Sequence, residues 1–251
     1  MSNKYKTQRV GKENIEFLHR GNGKPLVFLH GFGIPPTYYQ HLLDKLSEHS
    51  EVIAPNMYAV NYLKNQPTSI DEYAELTSDF CTALQIGQHN MSGHSLGGAV
   101  SFRIGENSSE PNSIIGINPV LPIEYGLLGF TGRAIHKGIR ESLGITGGLK
   151  ALIFGNTFSM YFIYNLTKDI RSSVETISDI SRFSYKNRKV LQPTLILYGN
   201  EDEFFNLNEE VEMEMQEYFE NITIEILPGF NHDWPIFHPK RAAKEISDFL
   251  E

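Results

Sequence analysis

The chain has 251 residues, of which 40% are hydrophobic and 21% charged, a composition typical of a globular protein with a sizeable core. Its formal net charge of -8 would repel phosphate backbones and anionic membrane surfaces, which argues against a nucleic-acid partner. The single cysteine, Cys81, excludes an internal disulfide, and the opening MSNKYKTQRV lacks the apolar core of a secretory signal, so we expect a cytoplasmic protein.

The first predicted elements are two short strands with alternating polarity, an apolar strand, and a helix followed by another strand. In chain order these are KYKTQRV, NIEFLHR, LVFLH, YYQHLLDKLSEH and EVIAP. A second helix is predicted through SIDEYAELTSDFCTAL. Ser69 would cap that helix, and Glu72, three residues later, would complete a capping box.

Strand and helix then alternate in a regular pattern that is interrupted once. The predicted elements are HNMSG, LGGAVSFRIGEN and SIIGINP, then PTLILYGN, LNEEVEMEMQEYFE, ITIEIL and HPKRAAKEISDFL. This alternation predicts an α/β fold with a mostly parallel sheet covered by helices on both faces. Since the pattern lapses in between, we expect a core of residues 1–119 and 190–251 and a helical cap formed by residues 120–189.

The motif GHSLGG places Ser95 between Gly93 and Gly97, after a predicted strand and before a predicted helix. At a sharp turn of this kind, side chains at the flanking positions would collide with the strand and the helix, and glycine avoids those collisions. The helix that begins at Leu96 points its first N–H groups toward charge that develops near the serine oxygen. The setting predicts an exposed nucleophile, with a glycine-rich turn and an incidental serine as the alternative.

A serine nucleophile needs a base within hydrogen-bond reach and an acid that orients the base. His232 lies in PGFNHDW, directly after the last predicted strand, and is the preferred base, with His238 as the alternative. Asp202 lies in YGNEDEFF after the strand TLIL and is the preferred acid. Asp233 is too close in sequence to His232 to orient its ring easily, and Glu124 is a less favoured substitute.

The oxyanion that develops during attack on a carbonyl is best stabilised by backbone N–H groups already fixed in place. The glycine-rich stretch HGFG, residues 30–33, follows a buried strand, so the N–H groups of Phe32 and Leu96 are the predicted donors. The chain has no metal-type cluster of cysteine and histidine, and we predict neither a metal nor a cofactor.

The motifs HGFG, GHSLGG, YGNEDEF and GFNHDW, in this order, resemble those of the α/β-hydrolase family. The resemblance implies an eight-stranded, mainly parallel sheet, a triad of Ser95, Asp202 and His232, and a cap after the sixth strand. Haloalkane dehalogenases and most epoxide hydrolases of this fold carry aspartate as the nucleophile, and proline iminopeptidases typically read GGSWGG. GHSLGG is closer to serine esterases, monoacylglycerol lipases and carbon–carbon bond hydrolases.

The expected cap is rich in aromatic side chains, which favours substrates with apolar acyl or aryl groups. Such residues serve a cap's own core or line its cleft, and the four predicted to line it are Phe130, Phe154, Phe158 and Tyr161. Its longest apolar stretch, LKALIFGNTFSMYFIYNL, is interrupted by polar residues, so we expect no stable membrane insertion. A basic group is predicted to be a solvated face, with an anion site as the alternative; it comprises Arg133, His136, Lys137 and Arg140.

The leading hypothesis is therefore a serine hydrolase that cleaves small-molecule carboxylic esters with an apolar acyl or aryl portion through an acyl-enzyme. A carbon–carbon bond hydrolase or an acyltransferase with the same triad is one alternative, because the cap and not the triad selects the substrate. A ligand-binding relative with a vestigial triad is the other. The sequence makes no prediction of the oligomeric state.

Overall fold

Eight strands form a single sheet in the computed structural model, which describes residues 4–57, 66–122, 129, 132–133, 136–137, 169–185 and 188–251. The strands are β1 (Lys6–Val10), β2 (Glu13–Arg20), β3 (Lys24–Leu29), β4 (Ser50–Pro55), β5 (His89–His94), β6 (Pro111–Ile117), β7 (Thr194–Glu201) and β8 (Ile222–Asn231).

The strand order is β1-β2-β4-β3-β5-β6-β7-β8. The first two strands pair antiparallel and β2 pairs antiparallel with β4, whereas β4, β3, β5, β6, β7 and β8 run parallel. The predicted α/β fold with a mainly parallel eight-stranded sheet is confirmed. Connections between parallel neighbours need long crossovers, which is why helices separate these strands in the sequence.

Helices cover both faces of the sheet. They are α1 (Gln40–Leu46), α2 (Ile70–Ala83), α3 (Leu96–Asn107), α4 (Ile170–Ile180), α5 (Glu209–Tyr218), the single turn α6 (Trp234–Phe237) and α7 (Pro239–Leu250). Alternate residues of β3 belong to different cores: Val27 and Leu29 pack in the cluster with α2, α3 and α5, while Leu26 and Phe28 pack in the cluster with α1 and α7. This alternation follows from the two-residue period of a strand.

The first residues of α2 form a hydrogen bond with α4, which lies between β6 and β7 in the sequence. Ser69 caps α2 as predicted, since its hydroxyl accepts from the Glu72 N–H at 3.2 Å. The second half of the predicted capping box is wrong, because the Glu72 carboxylate accepts from the N–H of Thr68 instead of that of Ser69. The Ile70 N–H donates to the Asp179 carboxylate on α4 at 2.7 Å, so α4 is attached to this helix terminus.

Much of the predicted cap, residues 120–189, lies outside the described residues. This holds for Phe130, Phe154, Phe158 and Tyr161, the predicted cleft residues, and for Glu124 and Arg140. None of the helices within the described ranges is both long and apolar enough to span a membrane.

Candidate active site

The candidate residues directly follow the carboxyl ends of adjacent parallel strands. His30 follows β3, Ser95 follows β5, Asn118 follows β6, Asp202 follows β7 and His232 follows β8. Because the carboxyl ends of parallel strands meet at one edge of the sheet, residues far apart in sequence converge there, as is common for sites in this type of fold.

Ser95 occupies a strained backbone turn between β5 and α3. Its φ of 54° and ψ of -118° are unusual for a residue other than glycine. Hydrogen bonds hold the turn: the Ser95 N–H donates to the Ile117 carbonyl at 3.0 Å, and the Ser95 carbonyl accepts from Gly98 and Val120. The side chain of Ser95 is half-buried at the tip of the turn, the position that a nucleophile needs.

The glycines around Ser95 allow backbone segments to approach each other closely. A Cβ atom placed on Gly93 would lie 2.1 Å from the Gly97 carbonyl oxygen, and one placed on Gly97 would lie 2.2 Å from the Leu29 carbonyl oxygen. No side chain tolerates these distances, so the predicted steric reason for the glycine pattern is confirmed. The glycines let α3 begin directly against the ends of β5 and β3.

Asp202 and His232 are in direct contact. The Nδ1 atom of His232 lies 2.8 Å from one carboxylate oxygen of Asp202. The other oxygen accepts from the N–H groups of Phe204 at 2.7 Å and Phe205 at 3.1 Å. A carboxylate only accepts hydrogen bonds, so Nδ1 carries the proton and Nε2 is left as the basic nitrogen of the neutral ring. This is the tautomer that a general base acting on a serine requires.

The His232 ring is buried among groups that favour its protonated form. Burial opposes the imidazolium, but the charge and hydrogen bond of Asp202, together with the charge of Asp233, outweigh it and raise the pKa of His232 above 6.5. Lys137 acts in the opposite direction. The rings of Phe204 and Phe205 lie 4.7 Å and 5.7 Å from the imidazole and restrict the water around it.

His94, which precedes Ser95 in the sequence, packs against His232. The rings of His94 and His232 are 4.8 Å apart, and His94 Nε2 lies 2.9 Å from the His232 carbonyl oxygen. Both ring nitrogens of His94 are thus engaged by Tyr39 and by the His232 carbonyl, so His94 is not available as a base. Among the described residues, no hydrogen bond joins the Ser95 hydroxyl to His232. Catalytic hydrogen bonds of ligand-free enzymes are often long and tighten when substrate binds.

The peptide that joins Gly31 to Phe32 is held by the side chain of His30. The Met57 N–H donates to His30 Nε2 at 3.2 Å, so Nδ1 carries the ring proton and donates to the Gly31 carbonyl at 2.9 Å. Burial lowers the pKa of His30 to about 3, which keeps the ring neutral. Ile34 N–H donates to the same carbonyl at 3.2 Å. Because a peptide is planar, fixing this carbonyl also fixes the direction of the Phe32 N–H.

Leu96, the other predicted donor, is the first residue of α3. The first N–H groups of a helix have no partner within the helix, and they carry the positive end of its dipole. The structure thus places Phe32 in the turn after β3, and Leu96 directly after Ser95 in the turn that follows β5.

Asn118 links the segments that lead to Asp202 and His232. The sequence analysis did not identify this residue. Its side-chain oxygen accepts from the Gly199 N–H at 2.7 Å and from the Trp234 indole N–H at 3.2 Å. Its side-chain nitrogen donates to the Asn231 carbonyl at 3.1 Å. The left-handed φ of 38° is one that asparagine adopts more readily than most residues. The sequence pattern SIIGINP places this asparagine directly after a predicted buried strand, and that position was the signal that could have identified it.

The alternative base, His238, and the acidic residues beside Asp202 and His232 do not replace the predicted pair. His238 is exposed and packs its ring 4.9 Å from that of Phe230 at the start of α7. Glu201 is exposed, and Glu203 accepts from the backbone N–H of His232 at 3.3 Å instead of contacting its ring. As predicted, Asp233 does not orient the His232 ring. Its carboxylate pairs with Lys137 instead.

Lys137 does not lie on the solvated face predicted for the basic group, whereas His136 of the same group is exposed. Its side chain is 2% exposed and its ammonium lies 2.7 Å from the carboxylate of Asp233, which is 4% exposed. Burial opposes the charge on Asp233, but Lys137 and the neighbouring imidazoles outweigh it and lower the pKa of the Asp233 carboxyl. Arg133 donates to the Glu203 carbonyl at 3.0 Å. Lys137 and Arg133 therefore bind groups of the loops after β7 and β8.

We expect Asp233→Asn to lower the free energy of unfolding by about 3–5 kcal/mol, because it leaves the buried Lys137 ammonium without its nearest carboxylate. Denaturant unfolding of both variants measures this. The matched control is Asp248→Asn, which breaks the exposed pair of Asp248 with Lys244 and should cost less than about 1 kcal/mol. Equal effects of the two substitutions would contradict the expectation. Combining Asp233→Asn with Lys137→Met should recover part of the loss.

Among the described residues, one group is compact enough to consider as a metal site. It consists of His94, His232 and Asp233, whose ligand atoms lie within 4.8 Å of one another. His94 already contacts the His232 carbonyl through Nε2, and Asp233 pairs with Lys137. The donors are thus engaged within the protein, and they carry no metal proposal.

An eight-stranded α/β sheet with a strained serine turn and an acid–histidine pair at its carboxyl edge defines the class of hydrolases with the α/β fold. Residues 26–245 match the model of the family described as "Alpha/beta hydrolase family", and the chain belongs to this family.

The chain is similar to several characterised or named proteins. It is 25% identical over 244 residues, 90% of this chain and 88% of the relative, to a Mycoplasma pneumoniae protein named "Putative esterase/lipase 2". A solved serine hydrolase involved in carbazole degradation (CarC enzyme) is 20% identical with a TM-score of 0.78, and 98% of each chain is covered. An esterase from Thermogutta terrifontis is 18% identical with a TM-score of 0.73, again over 98% of each chain. At these identities the solved structures show the shared fold.

Proposed function

We propose that this hydrolase cleaves carboxylic esters with an apolar acyl or aryl portion, with Ser95 as nucleophile, His232 as base and Asp202 as the orienting acid. The observation that carries the proposal is the hydrogen bond of 2.8 Å between His232 Nδ1 and Asp202, which follow β8 and β7 at the same sheet edge as the strained Ser95 turn. The names of the Mycoplasma pneumoniae relative and of the Thermogutta terrifontis esterase support ester substrates.

In this mechanism the Ser95 hydroxyl attacks the ester carbonyl while His232 Nε2 takes its proton. The negative charge that develops on the carbonyl oxygen is stabilised by the N–H groups of Phe32 and Leu96. His232, held by Asp202, then returns the proton to the departing alkoxide and leaves an acyl group on Ser95. Water, deprotonated by His232 in the second half of the reaction, releases the acid and restores the serine.

The cap remains part of the proposal. We assign it to residues 120–189 between the core segments 1–119 and 190–251, and we assign Phe130, Phe154, Phe158 and Tyr161 to the wall of the cleft. The location of α4 between β6 and β7, attached to α2 through Asp179, supports an insertion at this point.

The experiment that tests the proposal is a screen of p-nitrophenyl esters of increasing acyl length, combined with labelling by a fluorophosphonate. We expect hydrolysis of the esters and a covalent adduct on the peptide that contains Ser95, located by mass spectrometry. An adduct on another residue, or hydrolysis that survives complete labelling of Ser95, would overturn the assignment.

Carbon–carbon bond cleavage or acyl transfer with the same three residues is the alternative reaction. An assay of esters beside vinylogous diketones, and of esters with and without added alcohol acceptors, separates these reactions. Tight binding of a small ligand with no turnover and no labelling would instead favour the ligand-binding alternative. The engaged Asp202–His232 pair favours catalysis, because a vestigial site has no need of an oriented base.

The pH dependence follows from the environment of His232. The base acts only when neutral, and its pKa is raised, so we expect kcat/KM to fall on the acid side with an apparent pKa above 6.5. The charged groups around the ring are Asp202, Asp233, Lys137 and Glu203, and His94 stays neutral in this range. A pH–rate profile on a p-nitrophenyl ester measures the value, and an acid limb below 6.5 would contradict this reading of the site.

A further inference from the structure

Beside Ser95, a chain of hydrogen bonds runs from the HGFG turn to the His232 loop. The Gly31 N–H lies 3.2 Å from the hydroxyl oxygen of Tyr39, and this oxygen lies 2.6 Å from His94 Nδ1. On its other side, His94 Nε2 lies 2.9 Å from the carbonyl oxygen of His232. We call the two side chains that make these contacts the Tyr39–His94 bridge. It joins two segments that are about two hundred residues apart in sequence.

The direction of every hydrogen bond in the bridge can be assigned. The His232 carbonyl only accepts, so His94 Nε2 carries a proton. Burial, followed by the nearby His232, lowers the pKa of His94 to about 4, and the neutral ring has no second N–H. His94 Nδ1 is therefore an acceptor and receives the hydroxyl proton of Tyr39. The Tyr39 oxygen in turn accepts from the Gly31 N–H, so the whole chain is satisfied in one arrangement.

The bridge is buried and packed against the turn of Ser95. Tyr39 is 1% exposed and His94 is fully buried. A Cβ atom placed on Gly31 would lie 3.2 Å from His94 Nδ1, 3.3 Å from the Tyr39 hydroxyl and 3.4 Å from Ser95 Cβ. Gly31 thus lies directly against the bridge and the nucleophile. Since water does not reach these groups, a broken link leaves a polar atom without a partner, and the backbone segments must shift to compensate.

We propose that Tyr39 and His94 are positioning residues. They hold the HGFG turn and the His232 loop at fixed positions on either side of Ser95. The inference rests on the proposed function, because it assigns a purpose relative to the Phe32 donor and the His232 base. Tyr39 fixes the N–H of Gly31, while His30 and Ile34 fix its carbonyl. With both polar groups of Gly31 held, the Phe32 N–H has one direction. Neither Tyr39 nor His94 takes a proton from the substrate or gives one to it.

The Tyr39→Phe variant removes the hydroxyl and retains the ring. We expect kcat for a p-nitrophenyl ester to fall about 10- to 100-fold, because the oxyanion donors lose their alignment in the transition state. KM should change by less than about 2-fold, since the hydroxyl does not bind the substrate in its ground state. The matched control is Tyr38→Phe, which removes a hydroxyl from the adjacent half-buried tyrosine and should retain the wild-type kcat.

Two substitutions of His94 separate the halves of the bridge. His94→Asn places an amide oxygen near the position of Nδ1 and retains the acceptor for Tyr39, whereas His94→Gln places an amide N–H near the position of Nε2 and retains the donor to His232. If the bridge acts as a unit, Tyr39→Phe will lower kcat far less in the His94→Gln background than in the wild type. Additive effects in this double-mutant cycle would contradict the bridge.

Hydrogen exchange provides a readout that needs no turnover. Tyr39→Phe should accelerate exchange of the Gly31 amide by at least about 10-fold relative to Tyr38→Phe, because the Tyr39 hydroxyl that accepts from this N–H is lost. Unchanged exchange together with unchanged kcat would overturn the inference. If wild-type protein neither hydrolyses esters nor labels at Ser95, the proposed function fails, and the exchange rates still decide whether the bridge holds the turn. Should Tyr39→Phe not fold, His94→Gln takes its place in the same comparison.

Discussion

Replacing Ser95 with alanine is expected to lower kcat for p-nitrophenyl esters by about 10⁶-fold, because the site then has no nucleophile for His232 to activate. The strained φ of 54° disfavours serine and alanine alike, so the free energy of unfolding should change by less than about 0.5 kcal/mol. A fluorophosphonate should no longer label the protein. The measurements are steady-state kinetics, intact-mass analysis after labelling, and denaturant unfolding.

Ser92 provides the matched control for this substitution. Ser92 lies three residues earlier on β5, and its buried hydroxyl has no hydrogen-bond partner within the described residues. Ser92→Ala should therefore retain full activity and leave stability unchanged or slightly higher. Retention of activity by Ser95→Ala, or an equal loss in Ser92→Ala, would show that the proposed nucleophile is wrong.

Asp202→Asn is expected to lower kcat by about 10⁴-fold while the protein retains its fold. The amide of asparagine can present its N–H₂ group to His232 Nδ1, which favours the tautomer with the proton on Nε2. That nitrogen then cannot accept the proton of Ser95. Labelling by a fluorophosphonate should slow in parallel, because it depends on the same activation of the serine.

Glu201→Gln is the control for the acid, because Glu201 is the adjacent carboxylate in sequence and its side chain is exposed. Its kcat should match that of the wild type. A small effect of Asp202→Asn would mean that another group orients His232, and it would remove the basis of the proposed mechanism. Equal losses in the two variants would point to a general effect of charge in this loop.

The Asp202–His232 contact was predictable because each residue directly follows an apolar run that forms a parallel strand. The alternation of these runs with helical segments specified the sheet, and the position after a strand end specified the edge. β5 was the harder strand, since HNMSGH is largely polar. Its burial is explained by pairing with β3 and β6, and Ser113 of β6 donates to the Asn90 side chain at 2.9 Å.

The contacts that were not predicted depend on partners distant in sequence. Lys137 belongs to a basic group typical of a solvated helix face, and only the folded chain places Asp233 within 2.7 Å of it. Tyr39 reads as a core aromatic by its helical spacing, and it is buried, but its hydroxyl also meets Gly31 and His94. The period of hydrophobic residues and the positions of strand ends predict where a residue lies within its own helix or strand. They do not predict which polar atoms of different elements form hydrogen bonds.

The side chain of Asn118 has a consequence for how variants of this protein would be interpreted. Its amide is the shared anchor of the segments that carry the acid and the base, yet it follows β6, a strand that supplies neither. A substitution there would leave every reacting group intact and still uncouple them, so a survey of variants would score the position as essential to chemistry in which it takes no part.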